Sequence, residues 1–110
     1  MNDPVHVNCE PGAYCPSRRI SRGRNILTVY ARDAFVIPAK KRRTVMVGFT
    51  VNYCGEVLVK TISENVGAVF GKIRAGEPVS ITLRNDGDVD YTVELGAKIA
   101  DILLEEISSE

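Results

Sequence analysis

The sequence lacks any long apolar segment, which argues against a membrane partner. No run approaches the roughly 20 consecutive apolar residues that a membrane-spanning helix requires. The first ten residues contain neither a basic nor an apolar signal region, so we expect no secretory signal. There is also no internal repeat and no low-complexity linker. With 110 residues, 45% hydrophobic and 25% charged, the chain is predicted to form a single domain, 1–110, in which 1–25 form an extended N-terminal segment with a basic turn.

Histidine and cysteine are too scarce for most catalytic or metal sites. His6 is the only histidine, so a Ser/His/Asp or Cys/His catalytic arrangement would have to use it. Cys9, Cys15 and Cys54 show no CxxC spacing, and the spacing of His6, Cys9 and Cys15 fits no closed zinc site, since a fourth ligand is not evident. We therefore expect free thiols in a reducing, intracellular compartment, no metal site and no cofactor.

The net charge is zero, but the two halves of the chain carry opposite charge. Residues 1–60 contain ten Lys or Arg and four Asp or Glu, and residues 61–110 show the reverse, which gives +6 and −6. If the fold separates the halves, the charged faces favour self-assembly or docking to a charged protein; if strands from both halves interleave, the charges mix.

Two basic clusters in the first half are candidate partner-binding residues. They comprise Arg18, Arg19, Arg22, Arg24, Lys40, Lys41, Arg42 and Arg43. Such clusters can contact nucleic acid. Few aromatic residues lie nearby and the total charge is zero, so a solvated surface or an acidic protein partner is the preferred interpretation, and nucleic acid is not expected.

Alternation of apolar and polar residues predicts an all-β fold. The predicted strands cover residues 5–9, 26–31, 34–38, 43–51, 56–60, 79–84 and 91–95. The sequence NDGD at 85–88 favours a hairpin turn into the strand at 91–95, because Asn, Asp and Gly tolerate positive φ. Only 62–66 offers a short helical turn. Short strands with frequent turn signals indicate a sandwich or barrel.

The C-terminal segment ELGAKIADILLEEI, residues 94–107, is predicted to be a core strand. It is apolar on more than one face, as expected of a strand that is buried on both sides. A domain this small covers a limited apolar area, which makes an oligomer attractive. We therefore predict that Ile99, Ile102 and Leu104 form the core of a trimer.

The order of the sequence motifs carries a family resemblance. The segment LRNDGDVDYTVELGAKIADILLEEI places Gly96, Lys98, Ile99, Ala100, Ile102 and Leu103 as in a G-D-R-I-A-Q-L-I motif. Upstream, AYCPSR, FVIPAKKRRTVMVGFTV and YCGEVLV follow in register. Over about residues 5–107 the chain resembles the trimeric dUTP pyrophosphatases (dUTPases). The resemblance implies a distorted jelly-roll β-barrel that associates as a homotrimer.

The same resemblance shows where the chain departs from the catalytic motifs of dUTPases. Thr28 stands where an acidic residue is expected. Lys60 and Thr61 keep a positive charge and a hydroxyl in the phosphate-binding motif, but Ile62 replaces its glycine. Residues 69–78 contain neither the Asp nor the Tyr of the third motif, and the connection before them is shorter.

Two further departures concern the end of the chain. Asp101 replaces a Gln of the fourth dUTPase motif. A strand can tolerate this aspartate at an exposed edge, but its charge would repel a phosphate. The Gly-rich tail of the family has no counterpart. We therefore predict that the chain is not an enzyme and has no small-molecule substrate. It is predicted to be a structural or binding protein, most simply a viral capsid cementing protein that docks on a viral coat protein or another protein surface. Its expected location is the virion or the host nucleus or cytoplasm. One alternative is a divergent dUTP pyrophosphatase that borrows Glu64 or Glu77. The other is a viral regulator that binds a host protein.

Overall fold

Residues 6–105 are described by the computed structural model, and they form an all-β structure. Within that range there is no helix, and hence no helix able to cross a membrane. Twelve strands are formed by these residues: β1 (Val7–Cys9), β2 (Ser17–Ser21), β3 (Arg24–Tyr30), β4 (Phe35–Ile37), β5 (Arg42–Met46), β6 (Phe49–Val51), β7 (Cys54–Leu58), β8 (Lys60–Ser63), β9 (Val66–Lys72), β10 (Ser80–Asn85), β11 (Tyr91–Val93) and β12 (Lys98–Glu105). The predicted all-β class is confirmed.

The strands pair antiparallel in two larger and two smaller sheets. The four-stranded sheets have the orders β2-β3-β12-β7 and β5-β10-β9-β8. The two-stranded sheets are β1-β6 and β11-β4. The edge strands of the larger sheets do not pair with each other within residues 6–105, so the predicted closed barrel is not found.

The core contains side chains from both larger sheets. Leu27 and Ile102 of the first sheet, and Ile81 and Leu83 of the second, are fully buried in one cluster. The C-terminal strand β12 lies between β3 and β7, and residues 99–102 are all buried. The prediction of a strand covered on both sides is therefore confirmed.

The predicted hairpin at residues 85–88 is wrong, because β10 and β11 belong to different sheets. Strand β10 pairs with β5 and β9, whereas β11 pairs with β4. The reason is the buried side chain of Asn85. Its Nδ2 donates to the carbonyl oxygens of Ile37 (2.9 Å) and Val89 (2.8 Å), and its Oδ1 accepts from the Gly87 amide (2.9 Å). These bonds tie the end of β10 to β4 and hold the loop away from a two-strand turn.

Strand β9 is not among the predicted strands, because two glycines interrupt its apolar alternation. A Cβ at Gly67 would lie 2.5 Å from the carbonyl oxygen of Lys60, and one at Gly71 would overlap the Val57 side chain. Both glycines therefore allow close approach to neighbouring strands. The helical turn predicted at 62–66 is instead the end of β8, a turn, and the first residue of β9.

A left-handed glycine splits the strand predicted at 43–51 into β5 and β6. Gly48 has φ of +81°, and its carbonyl oxygen accepts from the Glu10 amide at 2.8 Å. A Cβ there would lie 2.6 Å from the methyl group of Ala13. The N-terminal loop packs on this break, which only glycine accommodates.

The N-terminal segment is held by a disulfide and by strand pairing. Cys9 on β1 is bonded to Cys15, so the prediction of three free thiols is wrong; among the cysteines of residues 6–105, only Cys54 is free. The segment expected to be extended, 1–25, contains β1 and β2, and the turn at Arg22 and Gly23 joins β2 to β3. Disulfides are typical of oxidising compartments, so cysteine usage no longer supports a reducing location.

Replacing Asn85 by alanine should destabilise the fold. The change leaves buried carbonyl and amide groups without partners, and each costs about 1–3 kcal/mol. We expect a loss of about 2–4 kcal/mol in the free energy of unfolding, measured by urea denaturation with an unchanged slope. Asp88→Ala, in the same loop but with its side chain 92% exposed, is the control and should shift the value by less than about 0.5 kcal/mol. Equal effects of both changes would contradict the role assigned to Asn85.

Candidate functional site

A buried carboxylate, Asp101, joins three elements of the fold. Its Oδ1 accepts a hydrogen bond from Thr28 Oγ1 at 2.8 Å. Its Oδ2 lies 3.5 Å from Lys60 Nζ and 3.7 Å from Arg19 Nη2. The Asp101 side chain is 13% exposed, so its charge needs compensation that the hydroxyl and the two cations supply. We call these four residues the Asp101 cluster.

Strand pairing explains why these residues meet. Asp101 lies directly opposite Thr28 on β3 and opposite Leu58 on β7, and Lys60 opens β8 two residues later. The dUTPase resemblance expects an acidic residue at position 28. Here the acidic residue is Asp101, at the facing position on β12, and position 28 is a threonine. The expectation that Asp101 lies at an exposed edge is wrong, because β12 is an inner strand of its sheet.

Removing the hydroxyl of Thr28 should weaken the Asp101 cluster. Thr28→Val keeps the side-chain shape but leaves Asp101 Oδ1 without that donor, at a cost of about 1–3 kcal/mol in the free energy of unfolding. The matched control is Thr44→Val, since Thr44 Oγ1 pairs with Thr82 Oγ1 at 2.8 Å on an exposed surface. The control should change the value by about 0.5 kcal/mol or less. If Thr28→Val is as stable as the control in urea denaturation, the buried hydrogen bond does not contribute to the free energy of unfolding.

An open groove adjoins the Asp101 cluster and shares Lys60 with it. The groove has a volume of about 200 Å³. It is lined by Val59, Lys60, Thr61, Glu64, Asn65, Val66, Gly67, Ala68, Val69, Arg84 and Asp86. Thr61 on β8 and Arg84 on β10 both lie opposite Gly67 on β9, so they occupy the same face with the glycine between them. A hydroxyl and a guanidinium therefore flank a stretch of backbone without a side chain.

The two carboxylates proposed as borrowed catalytic groups lie in different places relative to the groove. Glu64 lines the groove, in the turn between β8 and β9, together with Lys60. Glu77 does not line it and lies 3.4 Å from Lys72 Nζ. Arg84, which also lines the groove, has its Nε 3.0 Å from Asp86 Oδ1. Of the two sequence candidates, only Glu64 lies in the groove.

The dUTPase resemblance implies Mg²⁺, which proteins usually bind through one or two carboxylates together with substrate phosphates. No group of three or more His, Cys, Asp or Glu among residues 6–104 is arranged to hold a metal ion. At position 28 a hydroxyl stands in for the expected carboxylate and is already bonded to Asp101. The zinc arrangement considered for the N-terminus is also not formed, because Cys9 and Cys15 are bonded to each other.

The predicted partner-binding cations lie on two separate strand regions, and several have partners within the chain. All eight are exposed: Arg18, Arg19, Arg22 and Arg24 on the β2–β3 hairpin, and Lys40, Lys41, Arg42 and Arg43 at the start of β5. Arg19 belongs to the Asp101 cluster, Lys40 Nζ lies 3.3 Å from Asp88 Oδ1, and the Arg43 guanidinium lies 5.3 Å from the Phe35 ring centre. Their role in binding a partner stays a prediction.

The charges of the two halves mix in the folded chain. Strands β3 and β5 from the basic half pair with β12 and β10 from the acidic half. The ion pairs of Asp101 and Asp88 also join the two halves. The interleaved arrangement is therefore the one observed.

The residues predicted as a trimer core are buried within the single chain. Ile99 and Ile102 are fully buried and Leu104 is 5% exposed, all in the core cluster. One subunit accounts for their burial, and their assignment to a subunit interface stays a prediction.

Comparison with known proteins identifies the fold. No family model matches the chain, and no curated protein matches it. A phage 80alpha dUTPase mutant is similar over 100% of this chain and 87% of its own, with 16% identity and a TM-score of 0.76. Staphylococcus bacteriophage 80alpha dUTPase with dUpNHpp gives 0.77 over 99% and 86%, also at 16% identity. A mutant dUTPase from phage phi11 of S. aureus, described with a structural Mg(II) ion, gives 0.75 over 98% and 94% at 14% identity.

These comparisons confirm the predicted resemblance: the chain has the fold of phage dUTPases. They also contradict the prediction that the chain is not an enzyme, because the structures that match it over essentially its whole length are those of enzymes. The absence of a small-molecule substrate likewise has no support, since four of the matched dUTPase structures are described with the nucleotide analogue dUpNHpp.

Proposed function

We propose that this chain is a divergent enzyme of the dUTPase fold that hydrolyses a phosphoanhydride bond of a nucleotide in the groove beside the Asp101 cluster. The observation that carries the proposal is the groove in which Arg84, Thr61 and Glu64 lie together. A guanidinium and a hydroxyl can bind a phosphate chain, and a carboxylate beside them can accept a proton. The fold shared with dUTPases over the whole chain supports the same reaction class.

The chemistry assigns one role to each side chain. Glu64 accepts a proton from a water molecule as the water oxygen forms a bond to phosphorus. The bond between that phosphorus and the bridging oxygen breaks, and the leaving phosphate carries away the bonding electron pair. Arg84 stabilises the negative charge that grows on the phosphate oxygens, and the Thr61 hydroxyl donates to one of them. The Lys60 side chain is on the other face of the sheet, where its ammonium lies 3.5 Å from Asp101 Oδ2 and compensates that buried carboxylate.

Glu64→Gln should abolish most of the hydrolysis while leaving the fold intact. Loss of a general base lowers the rate by about 100-fold or more, measured as pyrophosphate or phosphate released from dUTP. Glu77→Gln is the matched control, because Glu77 is also an exposed glutamate but lies outside the groove, and it should retain the unmodified rate. Absence of any release by the unmodified protein, with and without Mg²⁺, would refute the enzymatic proposal. Equal loss in both variants would refute the role of Glu64.

We propose in addition that the chain forms a homotrimer, as the family resemblance implies. A small domain leaves much apolar surface exposed. On the outer face of the β5-β10-β9-β8 sheet, Met46 is 52% exposed and Phe70 is 62% exposed. Strand register places both on the same face, since they lie opposite Ser80 and Thr82 of β10. A second copy of the chain would remove these side chains from water.

Sedimentation equilibrium should give the mass of three chains. The double variant Met46→Ser and Phe70→Ser should dissociate, because each lost apolar contact weakens association by about 25 cal/mol per Å² of buried surface. Val89→Ser is the control, since Val89 is 75% exposed in the loop before β11. A monomeric unmodified protein would refute the trimer, and an unchanged mass in the double variant would refute this face as its interface.

A regulatory interaction with another protein is the second candidate function. The matched phage 80alpha dUTPase is described as inducing SaPI and as controlling the transfer of virulence genes. The exposed apolar face around Phe70 offers a surface for such a partner. The phage origin of the matched structures supports a viral source, whereas the capsid cementing role and the location in a virion stay predictions.

A further inference from the structure

The lining of the groove suits a phosphate chain and offers little to a nucleobase. None of its lining residues is aromatic, so no ring is available to stack on a base. The polar and charged residues that line it are Lys60, Thr61, Glu64, Asn65, Arg84 and Asp86, and the side chains of Thr61 and Arg84 are on the same face of the sheet. Guanidinium and hydroxyl groups are donors that match phosphate oxygens.

The size of the groove points in the same direction. At about 200 Å³ it is smaller than the roughly 300–1,000 Å³ of typical small-molecule sites. It therefore accommodates a part of a nucleotide and leaves the remainder in solvent. The charged end groups are the part that its lining can bind.

Gly67 separates the hydroxyl of Thr61 from the guanidinium of Arg84. It lies between them on adjacent strands, and neighbouring strands are about 4.8 Å apart. A Cβ at Gly67 would lie 2.5 Å from the carbonyl oxygen of Lys60, so glycine allows β8 and β9 to approach closely here. Ile62 replaces the glycine of the dUTPase phosphate motif, so Thr61 and Arg84 are the groups that face a phosphate through their side chains.

On these grounds we infer that the site recognises the phosphate chain and not the base. Its substrate class is then nucleoside triphosphates of any base, together with inorganic tripolyphosphate. This inference rests on the proposed function, because it describes how the same groove selects its substrate. Asp86 contacts the Arg84 guanidinium through Nε, and the guanidinium has five N–H donors in all, which is more than this contact uses.

Isothermal titration with four probes tests the inference. The probes are dUTP, dTTP, dCTP and inorganic tripolyphosphate, each added to the full-length protein. We expect dissociation constants that agree within about threefold across the four probes. Arg84→Gln should weaken all four by about tenfold, since one charge-assisted contact is lost without regard to the base.

The control variant is Arg74→Gln, an exposed arginine outside the groove, which should bind all four probes as the unmodified protein does. Circular dichroism of each variant verifies that it remains folded. Binding of dUTP about tenfold or more tighter than dCTP would overturn the inference while leaving the proposed function standing. Binding of no probe at all would overturn both.

Discussion

The central position of β12 is the constraint on which the rest of the structure depends. The strand pairs with β3 on one side and β7 on the other, and its apolar side chains fill the core between the larger sheets. Every residue from 99 to 102 is buried, including one carboxylate, because both faces of the strand are covered here. A charge at such a position is stable only with partners at hand. The strand therefore dictates which residues must stand beside it on β2, β3 and β8.

The Asp101 cluster shows how a shared fold can hold altered chemistry. The dUTPase resemblance expects an acidic residue at position 28, and here a threonine occupies it, with the carboxylate on the facing strand. The negative charge remains between the same strands, but its oxygens are directed to a hydroxyl and two cations. The exchange ties Lys60 to a buried carboxylate and leaves a hydroxyl at position 28.

Glycine placement determines how closely β9 approaches its neighbours. At Gly71 a side chain would collide with Val57 of the opposite sheet, so this position serves packing. At Gly67 it would collide with the backbone of Lys60, beside the groove. Glycine on β9 therefore allows close packing in two directions: against the opposite sheet at Gly71 and against β8 at Gly67.

Alternation of apolar residues is a local signal, and it was enough to predict the all-β class, most strands and the buried character of β12. The order of the motifs was enough to predict the family resemblance. Local signals also misled at two places. NDGD favours a hairpin, but the buried bonds of Asn85 join β10 to β4. Two glycines concealed β9, because their function is to admit distant strands.

Three features became visible in the folded chain alone. Within residues 6–105 the barrel does not close, Cys9 is bonded to Cys15, and Thr28, Lys60 and Asp101 meet. It also separated Glu64 from Glu77, two residues that the sequence left equivalent. The physical reason is the same in each case. These contacts join residues far apart along the chain, and their geometry depends on sheet order and strand register, which no short stretch of sequence encodes.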